Sequence, residues 1–224
     1  MTLLNGTALI TGTGSGIGQA TAVAYAQAGC SNLSIADLNP EGLRKTTERV
    51  KECNPEVKVL EMIVDVSDPE SVESMVRSTM NNFGGLQYVT SSTFDGRRAQ
   101  RGSIVNMAFV CGLSVIPNIM PYIASKHAVV GVTRAFAIDY GKYNIRINAV
   151  CPGIVETPML QRRQAMEEVS VENTKVKCSV EDPPLGRLAL PEEIADICVF
   201  LSSSMSSYVH GSMVTADGGK MAMY

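Results

Sequence analysis

Eight residues near the start of the chain, Thr11-Gly-Thr-Gly-Ser-Gly-Ile-Gly18, restrict its possible folds more than any other stretch. They follow a short apolar run, Thr7-Ala-Leu-Ile-Thr11, and open an alanine-rich segment from Ile17 to Ala28 that stops near Gly29. The run reads as a buried strand and the segment as a helix. Glycine allows a tight turn between them and lets backbone amides come close to an anion. The helix N-terminus favours negative charge. Gly12, Gly14, Ser15, Gly16, Ile17 and Gly18 are therefore expected to cradle a dinucleotide pyrophosphate.

Further elements alternate after this unit. Strands are expected at 32–36, 57–64, 86–90, 103–108, 145–150 and 213–216. A polar helix covers about 40–53, with Pro40 in its first turn. Another is capped by Ser67 or Asp68. A third carries Tyr122 and runs to about Tyr140, and a fourth spans Glu192 to Ser202. Strands alternating with helices predict an α/β fold: one Rossmann-like, doubly wound parallel sheet in a single domain over residues 1–224.

Two sets of side chains bring chemistry to this frame. Asp37 ends the second strand, 25 residues after Gly12. A carboxylate there accepts hydrogen bonds from the adenosine ribose hydroxyls and repels a 2′-phosphate. Residues 13, 15 and 38 are Thr, Ser and Leu, and none offsets that charge. The expected cofactor is NAD. Downstream, Tyr122-Ile-Ala-Ser-Lys126 puts a phenol and an ammonium on one helix face, one turn apart. A free phenol has a pKa of about 10, and a nearby ammonium lowers it. Such a tyrosine can exchange a proton with an alcohol or carbonyl oxygen.

Composition narrows the partners. A net charge of −3 leaves no electrostatic footprint for nucleic acid or an anionic membrane. No apolar run is long enough to span a bilayer. The N-terminus shows no basic region followed by an apolar core, so a cytoplasmic location is expected. Six cysteines, none in Cys-x-x-Cys spacing, read mostly as buried reduced thiols. No cluster has metal-ligand spacing. His127 is expected to be structural, and Arg97, Arg98 and Arg101 to lie in a solvated loop.

Taken together, these residues resemble the short-chain dehydrogenase/reductase family. The resemblance rests on Thr11-Gly-x-x-x-Gly-x-Gly18, Asp65-Val66, Tyr122-x-x-x-Lys126, Asn148-x-x-x-Pro152-Gly153 with Thr157-Pro158, Arg187-x-x-x-Pro191-Glu192 and Asp217-Gly218-Gly219. It implies that Asp65 and Val66 lie at the adenine. It also implies that Pro152, Gly153, Ile154 and Thr157 lie at the nicotinamide, Ile154 and Thr157 near its carboxamide. Tyr122 becomes the proton donor or acceptor, and Lys126 holds the nicotinamide ribose and tunes the tyrosine. Members are usually dimers or tetramers, so a homo-oligomer is expected.

The chain departs from the family in three ways. The family places Asn-Asn-Ala-Gly and a long helix after the strand at 86–90. Here Ser91 to Arg101 leads straight to Gly102-Ser-Ile-Val-Asn106, so one crossover helix is missing. Phe109 stands where the family has its catalytic serine. Losing one such hydrogen-bond donor typically costs about 100- to 1,000-fold in rate. Ser114, five residues further on, is the next hydroxyl. The missing helix also leaves Ile123, Val130 and Phe136 without their usual cover. The expected function is an NAD(H)-dependent oxidoreductase acting on a small secondary alcohol or ketone, with impaired activity. The alternatives are a nucleotide-binding pseudoenzyme or non-redox isomerase or cyclase on the same scaffold, and an inactive partner subunit of an intact relative.

Overall fold

The computed structural model describes residues 3–86, 88–89, 102–162 and 183–223. Its strands are β1 (Thr7–Thr11), β2 (Asn32–Asp37), β3 (Lys58–Ile63), β4 (Tyr88–Val89), β5 (Gly102–Met107), β6 (Ile145–Pro152) and β7 (Met213–Ala216). The longer helices are α1 (Gly16–Gln27), α2 (Pro40–Cys53), α3 (Pro69–Phe83), α4 (Met120–Tyr140) and α5 (Pro191–Ser202). The strands form one sheet in the order β3-β2-β1-β4-β5-β6-β7, and every pairing is parallel. The fold is Rossmann-like. Strand order reverses between β1 and β4, which opens a crevice beyond their C-terminal ends.

Strand position explains strand composition. Interior β6 reads Ile-Arg-Ile-Asn-Ala-Val-Cys-Pro and is buried from its second residue onward. A parallel strand covered on both faces needs near-continuous apolar character. Edge strand β3 reads Lys-Val-Leu-Glu-Met-Ile, and its charged residues are exposed. Leu33, Ile35, Ile147 and Val150 are fully buried. Helices α1, α2 and α5 share one apolar core, and α3 and α4 pack through separate groups around Met75 and Val130. Small residues Ala20, Ala22 and Ala26 line the buried side of α1, and the Tyr25 hydroxyl sits 2.7 Å from that of Ser202.

Helix ends follow from local chemistry. The Asn39 side chain accepts from the Gly42 amide at 3.2 Å and caps α2 ahead of Pro40. Of the two candidate caps for α3, Asp68 is the one used; it accepts from the amides of Glu70 and Ser71. Two polar side chains act as rivets that had no sequence signature. His210 Nδ1 accepts from Ile147 N at 3.1 Å, so Nε2 carries the proton and donates to Ala137 O at 2.8 Å. Arg146 is buried and donates to the carbonyls of Leu201, Ser203 and Val209. Burial lowers its guanidinium to about 10.

Of the strand expected at 86–90, the described residues show β4 at Tyr88–Val89, with Leu86 outside it. It pairs with β5 through Tyr88 opposite Ser103 and Val89 opposite Ile104. The crossover between them therefore has only residues 90–101, close to the minimum of about a dozen for a parallel connection. Those residues, with Arg97, Arg98 and Arg101, lie outside the described set, as does Cys178. The expectation for α4 needs correction. Val130 is buried, because it faces the sheet beside Ala149 and Cys151, and Ile123 is half-buried. The large apolar groups at the surface of α4 are Met120 and Tyr122 in the first turn and Val132, Phe136, Ile138 and Tyr140 further on. Cys30, Cys111, Cys151 and Cys198 are buried thiols, whereas Cys53 is exposed. No helix among the described residues is long and apolar enough to cross a membrane.

The position of Ile147 makes a direct test of this core. Ile147→Ala should cost about 2–5 kcal/mol in urea unfolding. A loss below about 1 kcal/mol would show that Ile147 is not buried in the core.

Candidate active site

The glycine run joins β1 to α1 as the sequence requires. Gly12 has φ 71°, in the left-handed region that favours glycine. A Cβ on Gly18 would lie 2.1 Å from the Gly12 carbonyl oxygen, so only glycine lets the helix start this close to the strand. Asp37 at the end of β2 reaches the same loop. Its Oδ2 accepts from Gly14 N at 2.8 Å and its Oδ1 from Asn39 N at 2.9 Å. Each oxygen keeps capacity for another hydrogen bond. Thr13 anchors the loop from beneath, donating from both its amide and its hydroxyl to Ala36 O at 3.2 Å.

The 152–157 segment arrives from the other half of the sheet. Pro152 ends β6 and Gly153 N donates to Ala216 O at 2.9 Å. Thr157 comes beside the glycine run: a Cβ on Gly16 would lie 3.3 Å from its Cγ2. Asp65 and Val66 follow β3 and are exposed. The Asp65 carboxylate accepts from the Ser67 hydroxyl and amide, which hold it below the usual carboxylate range. A helix N-terminus, a loop with no room for a side chain at Gly14 or Gly18 and a flanking carboxylate together fit a dinucleotide.

Tyr122 and Lys126 sit in the first turns of α4, where Pro121 fixes the start. Lys126 Nζ donates to Met107 O at 3.1 Å and lies 5.6 Å from the centre of the Tyr122 ring. Burial pulls the Lys126 ammonium below its ordinary value, and Cys151 nearby pushes the other way. Phe109 meets the Tyr122 ring edge to face, with centres 5.6 Å apart and planes at 70°. The position of the family serine is thus filled by an aromatic group packed on the tyrosine.

A cleft of about 1230 Å³ opens beside this pair. Tyr122, Lys126 and the glycine run are not in its lining; Phe109, which touches Tyr122 and lines the cleft, is the link. Its apolar walls come from Val115, Ile116, Ile154 and Leu188. Further walls are formed by Pro183–Leu185 with Arg187 and Leu188, and by Asp217–Met221, the latter unforeseen as cleft lining. Their signal was present in Pro183-Pro184 and Asp217-Gly218-Gly219, which pack on each other. Ser114 lines the cleft, but its hydroxyl donates to Val110 O at 3.1 Å. His127 makes a local contact with Ile123 O and is exposed. Among the described residues, no group of His, Cys, Asp and Glu could hold a metal ion.

Lysine burial has a thermodynamic consequence. Its depressed value means that, between the folded and the unfolded value of about 10.4, the unfolded state binds more protons. The cost of burying the ammonium is therefore present below that window and fades as pH rises through it. Lys126→Met should be at least as stable as the parent at pH 7. The difference should narrow at pH 10 in urea unfolding at both pH values. A parent that is the more stable at pH 7, with a gap that does not change by pH 10, would contradict this account.

Comparison with known proteins agrees with this geometry. Residues 6–93 match the family model described as short chain dehydrogenase, and residues 91–220 match that described as Enoyl-(Acyl carrier protein) reductase. Levodione reductase of Leifsonia aquatica is 35% identical over 96% of this chain and 94% of its own length. That alignment runs over 254 residues, more than this chain has, so the relative carries residues with no counterpart here. The crystal structure of levodione reductase superposes with a TM-score of 0.84, covering 98% of both chains. Cyclohexanol dehydrogenase of Acinetobacter sp. (strain SE19) is 32% identical over 96% of this chain and 94% of its own. L-sorbose reductase of Gluconobacter frateurii, solved with NADPH and L-sorbose, is 28% identical with a TM-score of 0.82 over 99% of both chains. The chain belongs to the short-chain dehydrogenase/reductase family of oxidoreductases.

Proposed function

We propose that this chain is an NAD(H)-dependent oxidoreductase that interconverts a small apolar secondary alcohol and its ketone at reduced rate. The observation that carries the reading is the Lys126 ammonium beside the Tyr122 ring, next to an apolar cleft. Cyclohexanol, named for one relative, is a compact apolar alcohol of the kind such walls suit.

In oxidation, Tyr122 Oη takes the proton of the substrate hydroxyl; in reduction it returns that proton to the ketone oxygen. The Lys126 charge favours the deprotonated phenol. Its bond to Met107 O uses one of three ammonium donors and leaves two for the nicotinamide ribose. When bound, the nicotinamide cofactor supplies or takes up the hydride. Gly12, Gly14, Ser15, Gly16, Ile17 and Gly18 hold the pyrophosphate, Asp37 the adenosine ribose, and Asp65 and Val66 the adenine. Pro152, Gly153, Ile154 and Thr157 flank the nicotinamide. The preference for NAD rests on Asp37, whose charge repels a 2′-phosphate. The exposed Val132, Phe136, Ile138 and Tyr140 on α4 support self-association.

Phe109 supports a second reading. An aromatic wall in the serine position suits apolar binding and donates no hydrogen bond, which favours a non-redox protein on the same scaffold. A fluorescence titration with NADH, NADPH and ADP-ribose separates the two. Tighter binding of NADH than of both others is expected. Equal affinity for NADH and ADP-ribose would favour the non-redox reading. Tyr122→Phe should lower turnover by about 100-fold or more while leaving NADH affinity unchanged; undiminished turnover would remove Tyr122 from the chemistry. Phe109→Ser should raise kcat by about 100- to 1,000-fold if the missing donor limits the rate. No gain from a folded variant would place the limitation elsewhere.

A further inference from the structure

Helix α2 touches the glycine run from outside the motif. A Cβ on Gly42 would lie 2.4 Å from the Gly14 carbonyl oxygen and 2.7 Å from its Cα. Both are backbone atoms, which cannot rotate out of the way. On its other side Gly14 is pressed against Asp37: a Cβ on Gly14 would lie 2.7 Å from the Asp37 carboxyl carbon. Neither glycine has a positive φ, so room rather than backbone conformation requires them. A glycine inside a helix is otherwise unfavourable.

Hydrogen bonds close the same circuit. Gly14 N donates to Asp37 Oδ2 at 2.8 Å, and Asn39 N donates to Asp37 Oδ1 at 2.9 Å. Gly42 N donates to Asn39 Oδ1 at 3.2 Å, and the Thr46 hydroxyl donates to Thr13 O at 2.6 Å. The carboxylate is thus held by the loop and by the start of α2. Its orientation depends on how closely those two approach.

We propose that Gly42 is a positioning residue for cofactor choice. By letting α2 seat Gly14 against Asp37, it holds the carboxylate where it accepts ribose hydroxyls and opposes a 2′-phosphate. This rests on the NAD preference proposed above. Gly42→Ala pushes Gly14 off Asp37; Gly14→Ala displaces the carboxylate directly.

The test is the ratio of NADPH to NADH dissociation constants, by titration, in the parent, Gly42→Ala, Gly14→Ala and Asp37→Ala. Circular dichroism melts establish that each is folded. A general loosening of the loop would weaken both nucleotides alike. The proposal instead requires that NADH weaken about tenfold or more, the worth of a hydrogen bond to a charged group, and NADPH much less. In an Asp37→Ala background, Gly42→Ala should move the ratio no further. A folded Gly42→Ala with the parent ratio overturns the proposal. Should Gly42→Ala fail to fold, an unchanged ratio in Gly14→Ala overturns it equally. A parent that itself prefers NADPH removes the NAD reading, and this inference with it. A parent that prefers NADH, with variants that keep its ratio, removes only the inference.

Discussion

Parallel pairing constrains everything else in this molecule. Strands that run the same way cannot be joined by tight turns, so each is followed by a crossover that returns the chain to the opposite edge. All the C-terminal ends then lie together, and the loops that leave them share one rim. The glycine run, Asp37, Phe109 and Gly153 each follow or end a strand, and each reaches the site for that reason. Where β1 and β4 diverge, the rim opens. Residues far apart in the chain meet there because the sheet leaves them no other place.

What the sequence made legible was local. The glycines between β1 and α1, Pro40 in a first helical turn and Asp68 as a cap are decided by neighbours a few residues away. Asp37 and the Tyr122–Lys126 pair were legible because strand ends and helix turns have fixed geometry. Four features were not. Val130 looked uncovered until α4 was seen to turn it towards Ala149 and Cys151. The walls at Pro183–Leu188 and Asp217–Met221 meet only through tertiary packing. His210 bridges α4 and β6 from far along the chain. Gly42 reads as a weak point in a polar helix, and only its distance to Gly14 gives it meaning.

The tyrosine's surroundings split into two influences. Lys126 brings charge, tethered to Met107 O and partly stripped of water. Phe109 brings an apolar edge where a hydroxyl would polarise a carbonyl. In the proposed reaction the first would serve proton transfer, and the second would leave the substrate oxygen without that hydroxyl. Ser114 does not replace it, because its own hydroxyl is committed to Val110 O. Under the proposed function Tyr122 would meet the substrate oxygen with no second hydroxyl donor from position 109 or from Ser114.

The contacts that orient Asp37 join residues 13 and 14 to residues 36, 37, 42 and 46. The hydrogen bonds among them close loops of 23 to 33 residues, shorter than the span that gathers the cleft, and loop-closure entropy rises with length. All of these residues lie between β1 and the middle of α2. The cleft beside Tyr122 is different, gathered from segments that stretch from Phe109 to Met221. A change in the described segments from Phe109 onward therefore reaches the cleft before it reaches the contacts of Asp37. Under the proposed function, a change in that cleft would alter the reaction while the contacts that orient Asp37 stay in place.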